Sequence, residues 1–536
     1  MGNTFSYQEK QCDLKLNAGA GSLRGIEYDQ KARRFANIPY AKAPLGALRW
    51  RKPQPLGPNF TYNSPDGSPF DGTELGHVCP QPNYAEGVNK EEAGFDFGED
   101  CLRLNIWTPS QPPADGKKYP VIIWLHGGWF QIGDPSHEMS MNPVEFVNQV
   151  KAVFVSVGYR LNVFGFLTGK ALLEENGGSG GANFGLWDQR LAMEWVYENI
   201  SAFGGDPENI MLAGRSAGAY AVQTQVLYDF RGQMEESKRG HFQRIIMYSN
   251  AIPAQPKMVA DCEEQFDELC DFFSIPRDTS NARTLSLLRD IPSKDLVNAI
   301  MKLRNHTFRP VTDDEFIHDG MIAYFKSGGF AAEFKRRGLR LFMSEMLNEE
   351  SLYGATNSPE PNLESLKLQI SNYYAPDVTA RLLNYYDVPK SKDKAEWRST
   401  FGKIIADGQV RAPSRFIVES LVAHGVSIND IWRYLIAYRM SFITERIAPM
   451  SFGVTHAMDK PLWNYSVFLN PTADEKVLML ELINELSAFI HNDQGHRFGT
   501  QSKDEVKKVT SEGTIEITKD TRWTELLHLA DVFSGM

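Results

Sequence analysis

Cysteine is scarce in this chain, with five residues in 536. That count excludes the disulfide-dense scaffolds on which small secreted domains depend. No apolar stretch approaches the roughly 18–20 residues that a membrane-spanning helix needs, so a soluble protein is expected. Positive charge is in deficit as well: 56 Lys and Arg stand against 67 Asp and Glu, a net charge of −11. Without a basic run or patch, nucleic acid is not an expected partner. The first residues, Met1-Gly-Asn-Thr-Phe-Ser6, have neither a basic head nor an apolar core. No secretory signal is read there, and a cytoplasmic location is expected. They do fit the N-myristoylation pattern at Gly2, although a single acyl chain anchors only marginally.

What the chain has in quantity is apolar sequence, 42% of its residues. Short apolar runs at 121–125, 152–157, 209–213, 244–248, 339–343 and 432–438 alternate with helical patterns. That alternation predicts an α/β fold around a large, mostly parallel sheet. The stretch 15–50 is expected to form antiparallel edge strands. Segments 251–335 and 351–425 lack strand signals and read as helical insertions forming a cap and cleft walls. Val477–Asn492 reads as an amphipathic helix, with Leu480, Ile483 and Leu486 among its apolar positions. With no repeat or low-complexity linker, residues 1–536 are expected to form a single domain. The acidic loop 81–100 is the expected mobile element.

One pentapeptide stands out, Gly214-Arg-Ser-Ala-Gly218. An apolar strand pattern precedes it, at Asn209–Ala213, and a helical pattern follows it, at Ala219–Val226. A G-x-S-x-G turn between strand and helix holds a serine on a sharp bend with its hydroxyl exposed. The flanking glycines omit the Cβ atoms that would collide there. Earlier, Val121-Ile-Ile-Trp-Leu-His-Gly-Gly-Trp129 ends an apolar run on a glycine-rich turn, a source of oxyanion-binding N–H groups.

An acid and a base should follow on later strand ends. The run 338–344 is succeeded by Glu345, Glu349 and Glu350. The run 431–438 is succeeded by a loop carrying Gly453-Val-Thr-His456. Of the later histidines, His424 and His491 fall in or at the end of helical patterns. His496 lies in a polar loop with no strand before it, so His456 is preferred as the base. From the residues alone, Glu345 and Glu349 both remain open as the acid. The order Ser, Glu, His is the one that α/β-hydrolases require.

These features, with FANIPYAKAPLGALRW (35–50), EDCLRLNIWTP (99–109), GYRLNVFGFL (158–167), NFGLWDQRLAMEWVYENI (183–200), FRPVTDDEF (308–316) and GVTHAMD (453–459), resemble the type-B carboxylesterase/lipase family. The likeness runs from about residue 19 to about 525, and fungal carboxylesterases are the nearest in character. It implies an α/β-hydrolase fold and a serine esterase acting on small to medium carboxylic esters. By resemblance, Ser216 is the nucleophile, Glu349 the acid and His456 the base. Gly128, Trp129 and Ala217 then form the oxyanion hole, and no cofactor or metal is implied. A lipase or lactone hydrolase with a mobile lid is the alternative. A non-catalytic, adhesion-type relative is disfavoured because all three triad residues are present. Choline specificity is disfavoured because the loop between Cys79 and Cys101 lacks a tryptophan to bind a quaternary ammonium.

Two departures from the family pattern carry consequences, and the cysteines raise a separate question. The third glycine of the oxyanion turn is Trp129, so the hole survives only if that position does not need positive φ. The glutamate that commonly precedes the nucleophile is Arg215. A cation about 5 Å from His456 would cost its charged form roughly 3 kcal/mol at an effective dielectric of ~20. Arg215 must therefore point away, meet an acid or bind an anionic substrate, and an internal salt bridge is the expectation. Finally, Cys79 and Cys101 occupy the positions of a family disulfide. Cys262 and Cys270 lie in the region of another, but eight residues of helix separate them by about 12 Å, beyond the ~7 Å limit for a bridged pair. Those two are expected to be thiols.

Overall fold

The computed structural model describes all residues except 1–5, 17–18, 84–95, 114–115, 137–141, 179–180, 232–239, 241 and 536. Gly2 and most of the acidic loop 81–100 thus lie outside the described residues. Among the described residues, thirteen strands form one sheet. They are β1 Glu9–Lys15, β2 Ser22–Tyr28, β3 Ala32–Pro39, β4 Phe70–Asp71, β5 Arg103–Pro109, β6 Tyr119–Leu125 and β7 Val153–Val157. Then follow β8 Gly205–Arg215, β9 Phe242–Tyr248, β10 Arg340–Met346, β11 Ile431–Ile436, β12 Glu505–Val509 and β13 Ile515–Lys519.

The order across the sheet is β1-β2-β3-β5-β7-β6-β8-β9-β10-β11-β12-β13, with β4 against β2. From β7 to β12 all neighbours are parallel. The expected antiparallel edge is present in β1–β3. Every residue of β6 and β7 is buried, as it must be in a parallel sheet covered on both faces. That double burial is why these strands read as continuous apolar runs. One face packs against helices Phe184–Asn199 and Ala217–Arg231, within the larger core. The opposite face, with Trp124, Phe154, Tyr248 and Phe342, packs against Pro143–Val150 and Ala473–Ile490. Leu480 is the exception to the expected stripe. It is exposed, while Leu482, Ile483 and Leu486 are buried.

The chain leaves β6 toward β7 on one side and then returns to β8 on the other. Strand order therefore reverses at β6, and in open α/β sheets a crevice forms at the carboxyl ends beside such a reversal. The turn after β6 carries His126–Trp129, and the turn after β8 carries Ser216. Helices account for most of 263–336 and 350–423.

Candidate active site

Ser216 sits between the last residue of β8 and the first of helix Ala217–Arg231. Its φ is 54°, the left-handed region that a serine enters only when its surroundings enforce it. Its N–H donates to the Tyr248 carbonyl at 2.8 Å, and its own carbonyl accepts from Tyr220 N–H at 3.0 Å. Close approach explains the two glycines. A Cβ on Gly218 would stand 1.9 Å from the Leu125 carbonyl oxygen, and one on Gly214 would stand 2.4 Å from Gly218. The elbow is thereby pressed onto the end of β6. Gly127 in turn faces Ser216, since its Cβ would lie 3.1 Å from that of the serine.

The turn after β6 is braced from several sides. The His126 ring stacks on Tyr159 with centroids 4.4 Å apart, and the Tyr159 hydroxyl donates to the His126 carbonyl at 2.7 Å. Gly128 adopts φ 114° and its carbonyl accepts from both Gln131 and Ile132 N–H. Gln131 ties the turn to the chain at 308: its amide donates to the Trp129 carbonyl, and its side-chain oxygen accepts from Phe308 N–H at 3.0 Å. Trp129 has φ 57°. The position does adopt positive φ, contrary to the condition read from the sequence, and the turn keeps its left-handed shape with tryptophan in place of glycine. The hydrogen bonds around the turn hold a tryptophan in a glycine-like conformation, at a cost of about 1–3 kcal/mol. Ala217 begins its helix, so its N–H has no partner within that helix.

His456 and Glu349 are together. The histidine Nδ1 lies 2.5 Å from Glu349 Oε2, and both side chains are buried. Glu349 Oε1 accepts from Met346 N–H at 2.8 Å, which fixes the carboxylate. Burial pushes the Glu349 pKa up. The His456 charge and hydrogen bond, with the Met346 N–H, outweigh that and hold it below the ordinary 4.5. Glu345, the other candidate acid, turns into an ion pair with Arg415. His424 and His491 cap helix ends, and His496 bonds to Glu485 at 2.8 Å.

The two loops that carry Glu349 and His456 are joined by hydrogen bonds from their backbone N–H groups. Asn348 N–H donates to the Val454 carbonyl at 2.9 Å, and Val454 N–H donates to Asn348 Oδ1 at 3.0 Å. Leu352 N–H also reaches the Thr455 hydroxyl at 3.0 Å. Arg215 meets an acid, as expected, in an ion pair with Asp459. Its guanidinium also lies over the Tyr248 ring, 4.9 Å from the centroid.

Sequence reasoning assigned no role to Asp459, Tyr353 or Arg309. Asp459 and Arg309 stood inside quoted motifs, so spacing placed them near the site without indicating their partners. Tyr353, whose ring centroid is 5.1 Å from that of His456, carried no signal. Cys79 and Cys101 are buried side by side as thiols, and Cys262 and Cys270 are also free. Among the described residues, no group of three or more His, Cys, Asp or Glu is arranged to hold a metal ion.

Residues 10–529 match the Carboxylesterase family. An "Uncharacterized esterase/lipase" of Schizosaccharomyces pombe is 36% identical over 98% of this chain and 97% of its own length. A "Carboxylic ester hydrolase" of Gibberella moniliformis is 32% identical over 95% of this chain and 94% of its own. "Acetylcholinesterase" of Bungarus fasciatus is 26% identical over 83% and 72%. With the elbow, the glycine turn and the His–Glu pair set on the ends of a parallel sheet, these findings place the chain: it belongs to the Carboxylesterase family, α/β-hydrolases that cleave carboxylic esters.

Proposed function

We propose that Ser216 is the nucleophile, His456 the general base and Glu349 the acid of a two-step acyl transfer. The observation that carries this is the buried 2.5 Å contact between His456 Nδ1 and Glu349. It leaves Nε2 as the nitrogen that takes the serine proton. Ser216 then attacks the ester carbonyl and the alcohol departs with that proton. Water, deprotonated in turn by His456, releases the acid. Glu349 fixes the imidazole tautomer and stabilises its cation. The oxyanion is received by the N–H groups of Gly128, Trp129 and Ala217. Each such donor typically contributes about 10²–10³ in rate. The glycine turn pressed onto the elbow supports that assignment.

The whole chain acts as one catalytic domain in this reading, with 251–335 and 351–425 walling the cleft. Its substrates are small to medium esters, with the Trp129 indole narrowing the acyl side. A reducing, cytoplasmic setting is supported by five free thiols, two of them adjacent and buried. The test is a nitrophenyl ester series of increasing acyl length, with a fluorophosphonate probe followed by peptide mapping. Label on Ser216 and activity falling with acyl length are expected. Label on another residue overturns the nucleophile, and a preference for long-chain emulsions favours the lipase alternative.

A further inference from the structure

Arg309 occupies an unusual position for a cation. Its guanidinium lies 5.7 Å from the Tyr220 ring centroid, 5.2 Å from that of Tyr373 and 5.9 Å from that of Phe130. Among the described residues its one side-chain hydrogen bond is to Gln409 Oε1, at 3.0 Å. The partly buried Arg309 has no carboxylate within ion-pairing distance among the described residues. Arg160, Arg190, Arg215 and Arg415 in the same interior each have one. Aromatic faces and an amide oxygen hold a guanidinium in place without cancelling its charge.

Its neighbours tie it to the segments that carry the reacting groups. Tyr220 is one helical turn beyond Ser216, to whose carbonyl it is hydrogen-bonded. Phe130 follows Trp129 in the oxyanion turn, and Phe308, just before Arg309, is bonded to Gln131 of that turn. The Arg309 charge also reaches Tyr353, which packs against His456. A second cation stands alongside. Lys257 lies on the segment bonded to Thr312, and its side chain has no carboxylate partner among the described residues either. Burial pulls the Lys257 ammonium below its ordinary pKa; Arg309 adds to that pull, while Cys262 and Asp261 oppose it. The Arg309 guanidinium, partly withdrawn from water and held by rings and an amide oxygen with no paired carboxylate among the described residues, forms a site whose missing component is an anion.

We propose that Arg309, seconded by Lys257, forms an anion-recognition subsite in the cleft, and that the preferred esters carry a carboxylate besides the scissile bond. This inference rests on Ser216 being the nucleophile. The molecule as a whole carries −11 and repels anions. A preference for them must therefore come from local cations, and salt must weaken it rather than strengthen it.

The test compares matched esters with the full-length protein. In one arm, the 4-nitrophenyl half-ester of glutaric acid is set against 4-nitrophenyl pentanoate. In the other, the butyrate ester of 4-hydroxybenzoate is set against that of 4-hydroxybenzamide. The quantity read is the anionic-to-neutral ratio of kcat/KM. A ratio of about ten or more in at least one arm is expected, since a charge-assisted hydrogen bond is worth roughly that factor. It should fall in 0.5 M salt, fall toward one in Arg309→Met and be largely kept in Arg309→Lys. A ratio of one or below in both arms, or the same ratio in folded Arg309→Met, overturns the proposal. So does a ratio that rises with salt, a reading that needs no variant. If Ser216→Ala kept hydrolysis, the nucleophile would be wrong. If Ser216→Ala were inactive and the ratio flat, only the subsite would be.

Discussion

Arg215 and Asp459 join the residue before Ser216 to the loop that bears His456. The pair is buried, with side-chain exposures of 1% and 0%. A charge next to the nucleophile is thus cancelled by one three residues beyond the base. Ser344 and Trp463 extend the contact, the indole donating to the Ser344 hydroxyl at 3.3 Å.

Removing one partner leaves the other buried and alone. Asp459→Asn should cost about 3–5 kcal/mol in urea unfolding. The double variant Arg215→Met, Asp459→Leu should recover most of that loss. A double variant no more stable than the single one would reject the pairing argument.

Ser216→Ala should reduce ester turnover by a factor on the order of 10⁶ while the fold persists. Thermal melting and kinetics on the same sample check both halves. Retention of more than about a hundredth of the activity would move the nucleophile elsewhere.

Glu349→Gln and Glu345→Gln should fail in opposite ways. The first loses the anion that orients His456, and turnover should fall by about 10⁴. The second removes one of the two buried carboxylates paired with Arg415, the other being Asp520, and should lower stability by less than the ~3–5 kcal/mol of a fully orphaned charge while leaving turnover largely intact. The reverse assignment of the two losses would transfer the acid to Glu345.

Acid should weaken the fold partly through Glu349. Its folded pKa lies below the ordinary 4.5, so the folded state prefers the charged form. Its stabilisation is complete above 4.5 and disappears as pH falls through the lower folded value. Unfolding free energies of wild type and Glu349→Gln should therefore keep a constant gap above pH 4.5 and converge as pH falls below it. A gap that stayed constant below pH 4.5 as well would contradict the shift.

Trp129→Gly should relieve the left-handed strain of φ 57° and broaden the accepted acyl lengths. Loss of indole packing opposes the relief, so the melting temperature should move by only a few degrees. A large fall in melting temperature with an unchanged acyl profile would mean that the indole serves the wall, not the pocket.

Much of the fold was legible because parallel strands buried on both faces cannot disguise themselves. The run 121–125 reappears as β6, and 244–248 lies within β9. Strands β12 and β13 escaped notice because, at and next to the sheet edge, they are only partly covered and mix Glu, Lys and Thr into the run instead of being continuously apolar. Leu480 was placed on the wrong side because a helix with so many apolar residues has no single clear stripe. In the site, the elbow announced itself through its glycines. The choice between Glu345 and Glu349 did not, because it depends on which carboxylate Arg415 withdraws. Nor could Arg309 be read, since the rings around it come from residues 130, 220 and 373.

The two hydrogen bonds between Asn348 and Val454 make the acid and base loops one mechanical piece. Neither can open without breaking the other's amide protection. In hydrogen exchange the amides of Asn348, Leu352 and Val454 should therefore open together, with one shared free energy. The pair would then be lost and regained as a unit, so fluctuations would leave the protein with both members placed or with neither.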